Sequence, residues 1–159
     1  DLVVLATGFQ STRLFGDIAV SGPDGLTVDQ AWSEGIRAHR SVALKGFPNL
    51  FMMYGPNSNL GHSSILVMLE AQAGYLARLL RHARDSGAGR IEVKAQAEED
   101  WNRFIADGLA RTVWTSDCRS WYKDEAGRVF SLWPHSTRRF SQELARAPLD
   151  EYRYFPAAG

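Results

Sequence analysis

The stretch Gly55 to His62, GPNSNLGH, lies between an apolar run and a long amphipathic segment. This pattern predicts a loop from the carboxyl end of a buried strand to the start of a helix, where open α/β sheets bind ligands. A helix N-terminus offers unpaired N–H groups and partial positive charge, and small residues let a flat ligand approach. A phosphate or another electron-rich ligand would suit the loop. The alternative is an ordinary turn capped by Asn and Ser, and no Walker motif follows.

Three side chains at the end of this loop could carry proton or nucleophile chemistry. His62 could act as an acid or base, although a histidine at a helix start more often caps or packs. Ser63 and Ser64 do not lie in a G-x-S-x-G elbow, so the sequence does not favour a hydrolase. Either serine is suited to capping the helix.

The chain has one cysteine, Cys118, which excludes a disulfide framework within the chain and a zinc site built from cysteines. The spacing of Asp117, Cys118 and His135 gives no support to a thiol site. We therefore expect Cys118 to be a small buried apolar residue. With so little cysteine, the cytoplasm is the expected location.

Composition excludes several classes of function. The 159 residues carry 18 Lys plus Arg and 18 Asp plus Glu, so no net charge argues for nucleic acid or an anionic membrane. No apolar stretch approaches the roughly 20 residues of a membrane span, and the start lacks a signal-peptide pattern. One globular domain is expected.

The elements that would position the loop follow from hydrophobic patterning. Two apolar runs, residues 2–5 and 50–54, predict strands buried on both faces. Helices are predicted over 63–85, 98–109 and 136–144, and a third strand over 91–94. Two hairpins are predicted, one over 16–28 with its turn at 22–25 and one with its turn at 125–127. Trp32 and Ile36 are expected to point inward, and the aromatic C-terminal tail is expected to pack on the body. Apolar positions of the long helix include Met68, Leu79 and Leu80.

This order predicts an α/β fold, but two parallel strands alone make a poor core. No complete βαβ dinucleotide unit is present. We therefore expect the neighbours of the first strand to lie upstream of residue 1.

Three stretches together resemble a known family. LVVLATGFQ resembles the ATG segment of two-dinucleotide-domain flavoproteins. GFPNLFMMYGPNSNLGHSSILVMLEAQAGYL is similar to the C-terminal FAD-domain segment of flavin-containing monooxygenases, nearest to the Baeyer–Villiger group. CRSWYKDEAGRVFSLWPHST resembles the C-terminal hairpin of that group. The resemblance covers nearly the whole chain and implies a Rossmann-like, two-dinucleotide-domain flavoprotein fold.

The resemblance implies an FAD-dependent monooxygenase that uses NADPH. In this family NADPH reduces the flavin, which takes up oxygen as a C4a-peroxide and inserts one oxygen next to a ketone carbonyl. The implied cofactor-binding residues are Gly8, Phe9, Asn59, Leu60, Gly61, His62 and Trp121. Gly8 and Phe9 would lie at the crossing between cofactor domains, Trp121 would face NADP, and the other four would border the flavin ring.

The chain departs from the family pattern by lacking both G-x-G-x-x-G motifs and the His/Trp fingerprint. We therefore expect a C-terminal fragment that is inactive alone, with residues 1–89 from the FAD-binding domain, 90–159 an extension, and the catalytic residues upstream. Two alternatives stay open. One is an N- or S-hydroxylating relative, and the other is a stand-alone binding or scaffold domain whose open sheet a partner or second copy covers.

Overall fold

A computed structural model describes residues 1–8, 10–118 and 120–157. The elements of these residues, in chain order, are α1 (Val28–Ala31), α2 (Ile65–Asp85), β1 (Ala88–Val93), α3 (Ala95–Leu109), a 3-10 turn (Val113–Thr115), α4 (Thr137–Ala145), a second 3-10 turn (Leu149–Glu151) and β2 (Tyr152–Pro156). The mixture of helix and strand supports the predicted α/β class at this coarse level.

The long helix α2 begins and ends where its capping residues predict. Ser64 Oγ accepts a hydrogen bond from the Leu66 amide at 3.3 Å, which satisfies one unpaired donor of the first turn. Past the last turn, Gly87 adopts a φ of +69°, which glycine reaches without steric cost. Helix α4 starts in the same way, with Ser136 Oγ accepting from the Arg139 amide.

The main core joins α2, α3 and α4 to the strand β1 and the chain before it. Its largest fully buried side chains include Phe140, Met68, Leu79 and Leu144. Leu80, predicted to share the inward face of α2, is instead 49% exposed, because the buried stripe runs through Gln72 and Tyr75.

The aromatic tail packs on the body, as predicted, but it does so as a strand that the sequence did not reveal. Strand β2 pairs antiparallel with β1, with Tyr154 opposite Ile91 and Tyr152 opposite Val93. In the described residues this two-stranded pair is the whole sheet. A strand of five residues carries too short a pattern to be separated from a packed loop.

A smaller cluster of buried residues lies beside the main core. It contains Trp32 and Ile36, which were expected to point inward, together with Val28, Ala38, Leu44, Phe47, Met52 and Phe130. Trp32 also donates from Nε1 to the Arg37 carbonyl at 2.8 Å. The prediction for these two residues is confirmed.

The two predicted parallel strands are not formed. Residues 2–5 have no strand partner among the described residues, and their side chains are 76–88% exposed. A parallel strand requires backbone partners on its edges, and an apolar run alone cannot supply them. Residues 50–54 make one isolated bridge, between Phe51 and Ala43, before Tyr54 turns with a φ of +58°.

Both predicted hairpin turns are present, although each is flanked by only a few backbone hydrogen bonds between the two arms. At the first, the Gly22 amide donates to the Leu26 carbonyl at 2.8 Å, and Ser21 bridges Thr27. At the second, the Asp124 amide donates to the Arg128 carbonyl at 2.9 Å. Glycine and Asp therefore located the turns correctly, and the strands beyond them are shorter than predicted.

Candidate functional site

The first half of the GPNSNLGH loop is fixed to the 129–133 segment by hydrogen bonds. Asn57 is buried, and its Nδ2 donates to the carbonyls of Val129 and Leu132, both at 3.1 Å. Its own amide donates to the Phe130 carbonyl at 2.7 Å. The amide of Asn59 then donates to the Ser131 carbonyl at 2.9 Å. This part of the loop is therefore a rigid support.

Asn59 and Leu60 form the edge of this support. Asn59 Oδ1 accepts from the Tyr54 hydroxyl at 2.7 Å and from the Leu60 amide at 2.8 Å. Desolvation by burial raises the pKa of Tyr54, so its hydroxyl keeps the proton that it donates. Leu60 packs partly against the main core. Two of the predicted cofactor-binding residues are thus locally well fixed.

Gly61 and His62 form the exposed end of the loop, just before α2. Both are exposed, and a Cβ on Gly61 would meet open space. The first turn of α2 contains no acidic residue, so no side chain of that turn offsets the partial positive charge of the helix end. The loop end thus combines open space beside Gly61 with the partial positive charge of the helix start.

Gly8 and Trp121 both line a different place, an open cleft of about 730 Å³. Ser11 Oγ donates to the Trp121 carbonyl at 2.6 Å. The lining residues are Thr7, Gly8, Ser11, Thr12, Thr115, Asp117, Cys118, Ser120, Trp121, Lys123, Asp124, Glu125, Ala126 and Gly127. Trp121 is 59% exposed, while Tyr122 beside it is half-buried, as alternation along the hairpin predicts. Asn59 and His62 are not among the residues lining this cleft. Phe9, the remaining predicted site residue, lies outside the described residues.

The expectation that Cys118 is buried is wrong, because the structure places it among the exposed residues that line this cleft.

The acidic residue Glu98, in the first turn of α3, has a structural role. It is buried, its carboxylate accepts from the Lys45 amide at 2.7 Å, and it lies 3.9 Å from Arg37. The described residues bring no three metal-ligating side chains together, and none of their helices is long and apolar enough to cross a membrane.

A largely buried group of charged side chains, joined by several hydrogen bonds, was not anticipated from the sequence. We call His39, Arg40 and Glu151 the Glu151 cluster. Arg40 donates to both carboxylate oxygens of Glu151, at 2.6 and 2.7 Å, and its guanidinium lies over the Trp101 ring. His39 lies between Glu151 Oε2 and the Ala97 carbonyl, both at 3.1 Å, so only a doubly protonated ring can donate to both.

Two opposing effects act on the pKa of Glu151 in this cluster. Burial of Glu151 would raise its pKa, but the hydrogen bonds and positive charges of His39 and Arg40 outweigh that effect and lower it to about 2. Glu151 lies 111 residues from Arg40, so no local pattern could have indicated the pair. The cluster fastens the C-terminal segment to the chain that precedes the loop.

No protein-family model matches the chain. Similar curated proteins do, and they are monooxygenases. The chain is 39% identical over 156 residues to a Baeyer-Villiger monooxygenase of Streptomyces coelicolor, covering 96% of this chain and 30% of that protein. It is 37% identical over 142 residues to a Baeyer-Villiger monooxygenase of Pseudomonas aeruginosa, covering 88% and 27%. An uncharacterized monooxygenase of Mycobacterium tuberculosis is 36% identical over 152 residues, with coverage of 96% and 30%.

Solved structures give a similar result for the fold. Cyclohexanone monooxygenase from Rhodococcus sp. Phi1, bound to NADP+, matches with a TM-score of 0.75 at 22% identity over 88% of this chain and 27% of that one. An oxidized steroid monooxygenase bound to NADP matches with a TM-score of 0.75 over 87% and 26%. The chain thus spans about three-tenths of the length of these Streptomyces and Mycobacterium relatives. The curated relatives therefore show that the chain is related, along nearly its whole length, to part of the Baeyer-Villiger-type monooxygenases, and the solved structures show that its fold is that of the corresponding part of such enzymes.

Proposed function

We propose that this chain is the C-terminal part of an FAD- and NADPH-dependent monooxygenase that inserts oxygen next to a ketone carbonyl, giving an ester or lactone. The observation that carries the proposal is the 37–39% identity to two proteins named Baeyer-Villiger monooxygenase, over most of the chain. The N- or S-hydroxylating alternative has no comparable support among these names. We expect the enzyme to act in the cytoplasm on a small ketone.

The described residues fit one edge of a flavin rather than a whole FAD site. Asn59 and Leu60 form a fixed edge, Gly61 leaves open space, and α2 presents an uncompensated positive end. A flavin ring gains negative charge when it is reduced, and a helix N-terminus stabilises such charge. No G-x-G-x-x-G loop is present for the FAD pyrophosphate, so this anchor would be contributed by a preceding part of the enzyme.

In this proposal the residues of the chain bind and orient, and the cofactor supplies the redox chemistry. Asn59, Leu60, Gly61 and His62 would border the flavin. Gly8, with Phe9, would lie near FAD where the cofactor domains cross, and Trp121 would face NADP across the open cleft.

The proposed domain division assigns residues 1–89 to a Rossmann-like FAD-binding domain and residues 90–159 to an extension. The apolar side chains of residues 2–5 are exposed in this chain. We propose that the preceding part of the enzyme, or a second copy, covers them and completes the sheet. The chain alone would then be inactive.

The test is a comparison between the chain and the full-length protein that contains it. With NADPH, oxygen and a panel of cyclic ketones, the full-length protein is expected to consume NADPH in proportion to ketone and to form a lactone, identified by mass spectrometry. The isolated chain is expected to do neither. Oxidation of an amine or sulfide, with no lactone from any ketone, would favour the hydroxylating alternative. Ketone-dependent turnover by the isolated chain would refute the proposed inactivity.

A further inference from the structure

Gln72 is a fully buried amide on α2, among buried neighbours on that helix that are mainly apolar. Burial of an amide is unfavourable unless both of its ends find hydrogen-bond partners. Both ends do so here. Oε1 accepts from the Tyr54 amide at 3.0 Å, and Nε2 donates to the Ser41 carbonyl at 3.2 Å. Because one partner can only donate and the other can only accept, the two bonds fix the orientation of the amide.

The two backbone groups that Gln72 holds belong to strained turns. Ser41 has a φ of +60° and Tyr54 a φ of +58°, a region that non-glycine residues seldom adopt. The two turns touch each other at Gly55, where an added Cβ would lie 2.4 Å from the Ser41 carbonyl oxygen. Such strain persists only when the surroundings fix it, and the Gln72 amide bonds both turns at once.

A short chain of contacts leads from Gln72 to the proposed flavin edge. Gln72 holds the Tyr54 backbone, and the Tyr54 hydroxyl donates to Asn59 Oδ1 at 2.7 Å. The same oxygen accepts from the Leu60 amide at 2.8 Å. The backbone angle at Tyr54 therefore sets where its hydroxyl lies, and that hydroxyl orients Asn59.

We propose that Gln72 is a positioning residue for the flavin edge, acting through Tyr54 on Asn59 and Leu60. It contacts no ligand itself. The inference rests on the proposed function, because it assigns the loop that Gln72 holds to a cofactor. A positioning role and a purely structural role predict different results. If Gln72 positions the loop, losing its amide displaces the loop more than another substitution that causes an equal loss of stability.

The first experiment needs no cofactor. Gln72→Met keeps the length of the side chain but removes both hydrogen bonds. Leu76→Ala, at a half-buried apolar position of the same helix, serves as the control for lost stability, and Gln96→Met, on the exposed face of α3, repeats the chemical change. Hydrogen exchange is measured on peptides covering residues 53–60, with urea added so that all variants have equal free energies of unfolding.

Gln72→Met is expected to speed exchange at Tyr54, Asn59 and Leu60 at least about tenfold over both controls, because their bonds open locally. Gln72→Glu adds a pH readout. Burial favours a protonated carboxyl, which can donate and accept as the amide does, so protection should return as pH falls. Exchange in Gln72→Met that equals exchange in Leu76→Ala would overturn the inference.

The second experiment measures the binding of FAD to the full-length protein, and the quenching of flavin fluorescence is the signal. Gln72→Met is expected to weaken FAD binding about tenfold and to shift the visible flavin spectrum, whereas Gln96→Met does neither. Unchanged binding and spectrum, with faster loop exchange, would overturn the link between Gln72 and the cofactor. If the unmodified full-length protein binds no FAD, the proposed function fails together with that link, and the exchange experiment still separates a displaced loop from lost stability.

Discussion

The Glu151 cluster and the end of the GPNSNLGH loop are both polar regions, but they are built in opposite ways. In the cluster, Arg40 and His39 are buried, and both oxygens of Glu151 are bonded. At the loop end, Gly61 and His62 are exposed and bordered by open space. The first region is closed on itself, while the second faces outward.

This difference in burial predicts different roles for the two regions. Buried charges survive only with full hydrogen bonding, so the cluster is fixed by what this chain itself provides. Exposed groups on a rigid base are available to a partner or ligand, and the base here is the buried Asn57. We therefore expect substitutions in the cluster to change stability and substitutions at the loop end to change binding.

The largest expected effect is that of Glu151→Ala. The substitution leaves the buried Arg40 guanidinium without its carboxylate, and breaking such a pair typically costs about 3–5 kcal/mol. Urea unfolding of the isolated chain measures the loss. Asp17→Ala, which breaks an exposed pair with Arg13, should cost below about 1 kcal/mol. Similar losses in the two variants would remove the distinction between the buried cluster and the surface.

Asn57→Ala is expected to cost about 2–4 kcal/mol. It leaves two carbonyls without a donor and places a Cβ-bearing residue that lacks a polar side chain at a φ of +57°. Asn57→Gly loses the same bonds but relieves the strain, so it should be about 1 kcal/mol less destabilising. Thermal unfolding of both variants checks the order. A glycine variant less stable than the alanine variant would contradict this account of the turn.

The pH dependence of the free energy of unfolding also tests the Glu151 cluster, with a smaller expected effect. The folded-state pKa of Glu151, about 2, lies below the ordinary 4.5, so the carboxylate stabilises the fold above about pH 4.5 and that stabilisation is lost as pH falls toward 2. Glu151→Gln cannot titrate at this position. The difference in unfolding free energy between the unmodified chain and this variant should therefore shrink over that window. A constant difference would mean that Glu151 has the same pKa in the folded and unfolded states, which would contradict the lowering of its pKa by His39 and Arg40.

The smallest stability effect is expected for His62→Ala and Trp121→Ala. Both side chains are exposed, so each substitution should change the unfolding free energy by less than about 0.5 kcal/mol. In the full-length protein, however, His62→Ala should weaken FAD binding and Trp121→Ala should raise the KM for NADPH. Ligand titration and steady-state kinetics measure these effects. A loss of stability comparable to that of Asn57→Ala would show that these residues support the fold.

Local chemistry made part of this structure predictable. The cap at Ser64, the glycine exit after α2 and the predicted turns at 22–25 and 125–127 depend on residues within a few positions of one another. Their bounds were therefore readable to within a few residues. The resemblance of the loop to a family of flavoenzymes was likewise carried by a contiguous stretch.

The sequence by itself determined the three longer helices α2, α3 and α4, the turns and the family relationship, because each depends on neighbouring residues. The short helix α1 was not predicted. Tertiary structure alone decided the pairing of β1 with β2, the exposure of residues 2–5 and the bonding of Glu151 to Arg40. Each of these depends on whether a distant segment supplies a partner. Gln72 is the clearest example, since nothing in the helical pattern of α2 indicates that its amide holds two strained turns.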